Sequence, residues 1–180
     1  MNRPVILLSL LFLSAHFGTS HAADQCVKLV FKDYCLGGGF SRQLEKTPSG
    51  MRPRINGERQ GVIYEKDDEK IYVMSYKGII YKVLHTFEPV TPAIMKDLRR
   101  RLQQKYGNYK DQSQYPDNTK NKARQISYIR RGEGELKNVW QPPGQPWRVE
   151  LGWARKLGVS IAYYVNELDE LQKEASLQGL

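Results

Sequence analysis

The stretch that decides the fold covers residues 62–87 and reads VIYEKDDEKIYVMSYKGIIYKVLHTF. Three apolar segments in it, at residues 62–64, 71–76 and 79–87, are rich in the β-branched and aromatic side chains that favour strands. A charged segment at residues 66–70 separates the first two, and Lys77-Gly78 separates the second two. This pattern predicts a three-stranded antiparallel meander with tight turns.

A second β unit is predicted near the C-terminus. Residues 148–154 and 159–165 are apolar segments on either side of Lys156-Leu157-Gly158, which repeats the layout of strand, Lys and Gly turn, and strand. Residues 126–129 form a further, shorter candidate strand. Residues 108–121 are polar without apolar periodicity and are predicted as a mobile surface loop.

Two helices accompany these strands. Thr91 followed by Pro92 is a typical helix start, and Gly107 is a typical stop, with apolar residues at helical spacing between them. Asn166 is a candidate N-cap for a second helix. The fold class is therefore predicted as α+β: a mostly antiparallel β-sheet, built from two hairpin or meander units, packed by one central and one C-terminal helix.

The N-terminal residues have the order of a secretory signal peptide. Arg3 precedes an apolar run at residues 5–15, and Ser20-His21-Ala22 offers small residues at the cleavage-specifying positions. We expect residues 1–22 to be removed near Ala22, and residues 23–180 to form a single α+β domain that is exported to the periplasm or secreted. The mature chain has no apolar run of the roughly 20 residues that a transmembrane helix needs.

Two cysteines follow the predicted cleavage site. Export to an oxidising compartment makes a disulfide between Cys26 and Cys35 the default expectation, with free or intermolecular thiols as the alternative. The bond requires the chain to reverse between them, because nine residues of strand or helix would hold them too far apart. Their number and spacing exclude a CxxC redox pair and a cysteine-rich zinc site.

Positive charge is concentrated in one part of the chain. The sequence has 28 Lys and Arg against 19 Asp and Glu, and residues 91–131 alone carry eleven basic and three acidic residues. Nine of these basic residues are predicted to form one binding surface: Lys96, Arg99, Arg100, Arg101, Lys105, Lys122, Arg124, Arg130 and Arg131.

A basic surface of this kind indicates an anionic partner. The candidates are an anionic envelope component, such as a lipid head group or acidic glycan, and an acidic protein. Nucleic acid is not expected as a partner, because the chain is expected to be exported. The alternative is a solvated basic face that only keeps the protein soluble. The sequence leaves the oligomeric state open.

Aromatic residues give a second candidate contact. Trp140 precedes the segment Gln141-Pro142-Pro143-Gly144-Gln145-Pro146 and is predicted to lie exposed on this Pro-rich loop, where it would bind a partner. Trp147 and Trp153 differ by six positions and would face the core from one side of a strand.

Catalytic patterns are scarce. His85 is the only histidine after the predicted signal peptide, it lies in an apolar strand, and a structural role is favoured; we expect no metal and no cofactor. The leading hypothesis is a non-enzymatic exported binding protein of the inhibitor, immunity or envelope-accessory kind. One alternative is a cell-wall glycan hydrolase that uses Glu133 and Glu135, and another is an envelope assembly component that pairs through exposed β edges.

Overall fold

A computed structural model describes residues 26–53 and 57–178 of the chain. The predicted signal peptide and its cleavage site lie outside the described residues. The described part contains nine strands: β1 (Lys28–Val30), β2 (Tyr34–Leu36), β3 (Arg59–Lys66), β4 (Glu69–Tyr76), β5 (Ile79–Phe87), β6 (Lys110–Asp111), β7 (Leu136–Trp140), β8 (Trp147–Ala154) and β9 (Gly158–Val165). It also contains four helices: α1 (Phe40–Lys46), α2 (Pro92–Tyr106), α3 (Lys122–Arg131) and α4 (Asn166–Gln178).

The predicted α+β class is confirmed. Strands β3 to β9 form one antiparallel sheet in the order β3-β4-β5-β9-β8-β7-β6, and β1 pairs with β2 in a separate hairpin. The predicted meander is β3-β4-β5, and the predicted C-terminal hairpin is β8-β9. Strand β9 pairs with β5, so the two units share one continuous sheet.

Both turns of the meander use backbone conformations that favour particular residues. Asp67 and Asp68 have φ of 53° and 65°, and Lys77 and Gly78 have φ of 51° and 77°. Two consecutive positive φ values define the two-residue turns whose twist matches a β-hairpin, and Asp and Gly tolerate them better than most residues. The turns therefore fix the strand register that the apolar pattern requires.

One face of the sheet, here called the helical face, carries the hydrophobic core. Alternate residues of the central strands, such as Val83, Val149 and Ile161, point to this face and are almost fully buried. Met95 and Leu102 of α2 pack on it with Ile129 of α3 and with the β1-β2 hairpin. The opposite face, here called the open face, is bordered by α4, which lies against β5 and β9.

The N-terminal hairpin is closed by the predicted disulfide. Cys26 and Cys35 are bonded, with Cα atoms 5.2 Å apart, because a turn after Val30 brings β2 back alongside β1. Lys28 of this hairpin holds its Nζ atom 4.0 Å from the centre of the Trp147 ring, which ties the hairpin to β8 by a cation–π contact.

We expect Cys35→Ala to lower the free energy of unfolding by about 2–3 kcal/mol, since the bond restricts a short loop in the unfolded chain. Urea unfolding of the oxidised protein and of the variant measures the difference. Reductant should lower the stability of the natural protein to that of the variant and leave the variant unchanged. Equal stabilities before reduction would contradict the expectation.

Two helices were missed by the sequence prediction, which had only one central and one C-terminal helix. Residues 126–129, predicted as a strand, lie in α3. The sequence does contain the start and stop residues of α3, namely Asn121 and Gly132. In the structure, the Asn121 side chain accepts a 3.2 Å hydrogen bond from the backbone N–H of Arg124, and Gly132 ends the helix in the left-handed region. The other missed helix, α1, has only seven residues and no side-chain cap at Gly39.

Residues 108–121 are also more ordered than predicted. They contain β6 and run along β7, where Gln112 donates its backbone N–H to Lys137 and Gln114 exchanges two backbone hydrogen bonds with Glu135. Sequence periodicity could not show this, because the pairing is carried by the backbone and only one edge of the segment is paired.

Candidate functional site

A cleft lies between α2 and α3 on the helical face and is called here the α2–α3 cleft. Its volume is 210 Å³. Its apolar floor is formed by Pro92, Met95, Ile126, Ile129, Leu136 and Trp153. Its polar residues are Lys96, Arg99, Tyr115, Lys122 and Gln125, so among the described residues three cations and no carboxylate line it.

Helical spacing explains how the cations reach the cleft. Lys96 and Arg99 are three residues apart on α2, so they share one side of the helix next to the buried stripe of Met95 and Leu102. Lys122 is the first residue of α3 and approaches from the other wall. The cleft therefore gathers charge from two helices that are separate in the sequence.

Arg99 is held in place by a residue of the sheet. Its Nε atom donates a 2.8 Å hydrogen bond to Oδ1 of Asn138, a residue of β7 that is only 1% exposed. Its guanidinium carbon also lies 5.8 Å from the centre of the Tyr109 ring. Among the described residues Arg99 has no carboxylate partner, so it is an anchored cation whose terminal nitrogens remain free for a ligand.

Tyr115 adds a buried hydroxyl to the same cleft. This hydroxyl makes no hydrogen bond of good geometry with the described residues. Burial raises the pKa of Tyr115, and the nearby Ser113 hydroxyl and Arg99 guanidinium partly oppose this. A buried hydroxyl without a hydrogen-bond partner lowers the stability of the fold unless a ligand or a water molecule supplies the missing bond.

The remaining basic residues of α2 do not join the cleft. Arg100 and Arg101 pair with Asp97 at 2.6 and 2.7 Å, and the pKa of Asp97 is lowered by these partners. Lys105 lies over the Tyr106 ring at 5.3 Å. At about 100° per residue, the basic residues of α2 spread over more than half of the helix circumference.

Of the basic residues of α3, only Lys122 lines the cleft among the described residues. Arg124 pairs with Asp117 at 3.1 Å, and Arg131 pairs with Glu133 at 2.7 Å. Arg130 lines a different cavity of mixed charge beyond the C-terminal end of α3. Of the nine residues predicted to form one basic surface, Lys96, Arg99 and Lys122 line the α2–α3 cleft, and the other six lie outside its lining.

The prediction that Trp140 is an exposed aromatic on the Pro-rich loop is wrong. Trp140 is the last residue of β7 and is 1% exposed. Its indole Nε1 donates a 2.9 Å hydrogen bond to the backbone oxygen of Gly107, and Tyr109 packs against its ring. Sequence analysis placed Trp140 on a loop, but it pairs with Val149 of β8 as a strand residue, and its ring lies in the core.

We expect Trp140→Phe to lower the free energy of unfolding by about 1–2 kcal/mol, because the variant keeps most of the packing and loses a buried hydrogen bond. The Gly107 oxygen would lose its partner. Urea unfolding measures the loss, and ligand binding by the folded variant should equal that of the natural protein. A variant of unchanged stability would contradict the buried position.

The other two tryptophans agree with their predicted orientation. Trp147 and Trp153 are both 5% exposed and face the core from β8. Trp153 also forms part of the cleft floor.

The two glutamates proposed for glycan cleavage are poorly placed for it. Glu133 is exposed, and its hydrogen bond from Arg131 lowers its pKa. A general acid for this reaction needs a raised pKa. Glu135 is engaged through its backbone with Gln114, and Trp140 is buried at the far end of β7.

His85 has partners that suit a structural role. Its Nε2 atom lies 2.7 Å from Oε2 of Glu69, and its ring packs against Phe31 and Phe87. Within the described ranges, no group of three or more His, Cys, Asp or Glu side chains is arranged to hold a metal ion. None of the described helices is both long and apolar enough to cross a membrane.

Both edges of the large sheet have features that limit pairing with another chain. Strand β6 at one edge has two residues, Lys110 and Asp111, and both are exposed and charged. At the other edge, Met51 exchanges two backbone hydrogen bonds with Ile63 of β3. Short, charged or covered edges discourage pairing with another chain.

A second pocket lies on the open face, and sequence reasoning missed it entirely. It has a volume of 350 Å³ and is lined by residues of β3, β4, β5, β7, β8, β9 and α4. Its charged residues are Arg59, Lys82, Lys137, Glu150, Arg148, Asp169 and Lys173. No sequence pattern could have grouped these charged residues, because they come from five elements that are separate in the sequence.

Comparison with known proteins assigns no family to this chain. No protein-family model matches the chain, and no curated protein matches its sequence. The solved structures include a weak match, a cysteine-rich secretory protein from Staphylococcus aureus, with 8% sequence identity and a TM-score of 0.41. The match covers 73% of this chain and 45% of that protein, so this chain spans less than half of it.

Proposed function

We propose that this protein is a non-enzymatic exported binding protein, of the inhibitor, immunity or envelope-accessory kind, that binds an acidic protein through the α2–α3 cleft. The observation that carries the proposal is the cleft itself, in which three cations without a carboxylate surround an apolar floor. The disulfide between Cys26 and Cys35 supports export, since such bonds persist in oxidising compartments.

The size of the cleft favours a protein partner over an enclosed small molecule. Pockets for small molecules have volumes of about 300–1,000 Å³. At 210 Å³ the cleft suits one inserted apolar side chain. Such anchors in well-packed pockets carry most of the energy of many protein interfaces. The partner should therefore present an apolar side chain flanked by carboxylates.

The three cations that line the cleft suit an acidic partner. The anchored guanidinium of Arg99 is suited to a two-pronged contact with a carboxylate, while Lys96 and Lys122 attract further negative charge. Tyr115 also lines the cleft, with its hydroxyl buried.

A labelled peptide with one Phe between Asp and Glu residues tests the proposal by fluorescence anisotropy. We expect saturable binding to the mature protein, which weakens when Phe is replaced by Ser or the acids by amides. Arg99→Gln should weaken binding at least about tenfold, the value of one charge-assisted hydrogen bond.

Arg101→Gln is the matched control, because it removes the same charge from the same helix at a residue already paired with Asp97. It should leave the dissociation constant within about twofold, as for a surface pair. Equal losses in the two variants would contradict a site in the cleft. Binding of anionic vesicles in preference to the peptide would replace the acidic protein with a lipid surface.

A further inference from the structure

The pocket on the open face has more positive than negative charge. Five cationic side chains line it, namely Arg59, Lys82, Lys137, Arg148 and Lys173, against two carboxylates. The two carboxylates already have partners, so the surplus can be assigned to particular residues.

Arg148, Lys137 and Lys173 are committed to those carboxylates. Arg148 contacts Glu150 at 2.8 Å and Asp169 at 2.6 Å. Lys137 lies 3.4 Å from Glu150, and Lys173 lies 2.8 Å from Asp169. Lys173 also contacts Glu170 at 3.0 Å, so the network holds three cations and three carboxylates and needs no ligand.

Lys82 and Arg59 are the cations left over. Among the described residues, neither has a carboxylate within ion-pair distance. In the described part of the chain, the Arg59 side chain donates to the Ser176 hydroxyl at 3.1 Å, and Nζ of Lys82 lies 4.9 Å from the centre of the Tyr164 ring. A part-buried ammonium without a counter-ion is unfavourable, and a bound anion would relieve it.

The backbone contributes to this arrangement. The pairing of β4 with β5 skips Tyr81, where a β-bulge lies between Ile80 and Lys82. Both Tyr81 and Lys82 line the pocket, although alternation in a regular strand would place them on opposite faces.

An adjacent cavity of 170 Å³ lies next to the open-face pocket. The two share four lining residues: Lys82, Lys137, Glu150 and Tyr164. Its lining adds small residues of β8 and β9, among them Gly152, Ser160 and Ala162. The charged end of the pocket thus continues into a shallow trough where an organic group attached to the anion can lie.

We propose that this pocket binds a phosphate monoester, with its dianionic phosphate between Lys82 and Arg59 and its organic part over the small residues of β8 and β9. Two free cations match the two charges of such a phosphate. The site is on the opposite face of the sheet from the α2–α3 cleft and does not depend on the function proposed for it.

The ionisation of Lys82 provides a specific signature. Burial lowers the pKa of Lys82, while Glu150 and Asp169 raise it and Lys137 and Arg148 lower it further. A bound dianion favours the charged form, so the pKa of Lys82 must rise on binding. Affinity for a dianion should then increase as the pH falls through the lowered pKa.

Calorimetric titration of the mature protein at constant ionic strength tests the proposal with three probes: glucose 6-phosphate, inorganic phosphate and sulfate. We expect saturable binding of both phosphate probes, with the ester at least about tenfold tighter if its organic part contacts the trough. Equal affinities would assign the site to free phosphate. Sulfate, which stays dianionic, separates the titration of Lys82 from that of the phosphate.

Lys82→Met should weaken phosphate binding at least about tenfold, as expected for loss of a charge-assisted contact. It should leave the fold intact, since it removes an unpaired charge. Arg59→Gln should give a comparable loss. Lys110→Met is the control, because Lys110 is exposed on β6 away from the pocket, and it should bind as the natural protein does. Absent saturation, or equal losses in Lys82→Met and Lys110→Met, would overturn the proposal.

Discussion

Replacing Arg148 with Met should lower the free energy of unfolding by about 3 kcal/mol at neutral pH, the low end of the cost of breaking a buried ion pair. The side chain is only 15% exposed and bridges Glu150 and Asp169, whose side chains are 11% and 5% exposed. It also donates to the Asn166 side chain at the start of α4. The substitution therefore leaves two part-buried carboxylates with weaker compensation and loosens the attachment of α4.

The loss should stay near this value of about 3 kcal/mol, because Glu150 and Asp169 each keep a lysine partner. Lys173→Met is the matched control on the same carboxylate. Lys173 is half exposed, so its removal should cost less than about 1 kcal/mol. Urea unfolding of both variants measures the difference, and an Arg148→Met loss no greater than that of the control would contradict the network.

The pH dependence of this loss has a defined sign. Burial tends to raise the pKa of Asp169, but hydrogen bonds from Arg148 and Lys173 outweigh it, so the pKa is lowered in the folded protein. A lowered pKa stabilises the fold above the unfolded value of about 3.9 and loses that contribution as the pH falls through the folded pKa. The gap between the natural protein and Arg148→Met should therefore be full at pH 7 and shrink below about pH 4.

Reversing the two lysines of the α2–α3 cleft should have the largest effect on binding. We expect Lys96→Glu with Lys122→Glu to weaken binding of the acidic Phe peptide by at least about a hundredfold, since two attractive contacts become repulsive. The fold should persist, because both side chains are exposed and Glu at position 96 can pair with Arg100 one turn later.

Lys110→Glu with Lys120→Glu supplies the matched control. It changes the net charge of the protein equally at two exposed residues outside the cleft lining. Long-range attraction through net charge alone would weaken binding equally in both double variants and would vanish at high salt. A loss confined to the cleft variant at physiological salt indicates direct contact.

The elements that sequence analysis predicted correctly are those whose signals are local. The meander depends on strand residues interrupted by turn residues at 67–68 and 77–78, and α2 depends on Thr91, Pro92 and Gly107. The disulfide followed from the number of cysteines and the turn they require. Helix α3 was lost because its short apolar pattern at Ile126 and Ile129 resembles a strand when its caps are not considered.

The candidate sites depend on tertiary contacts and could be predicted only in part. Clustering of positive charge at residues 91–131 pointed to Lys96, Arg99 and Lys122, but it could not show that Arg100 and Arg101 both pair with Asp97. The role of Tyr115 needed the pairing of its segment with β7. Sequence analysis placed Lys82 in an apolar strand. Its position in the pocket is visible only in the structure, where residues of six other elements line the same pocket.

The measurement that tests the central claim most directly is a titration of the isotope-labelled mature protein with the acidic Phe peptide, followed by amide chemical shifts and by contacts from the Phe ring. We predict the largest shifts at Lys96, Arg99, Tyr115, Lys122 and Gln125, with the Phe ring close to the methyl groups of Met95 and Ile126. Shifts concentrated around Lys82 and Arg59, or spread evenly over exposed basic residues, would contradict a binding site in the α2–α3 cleft.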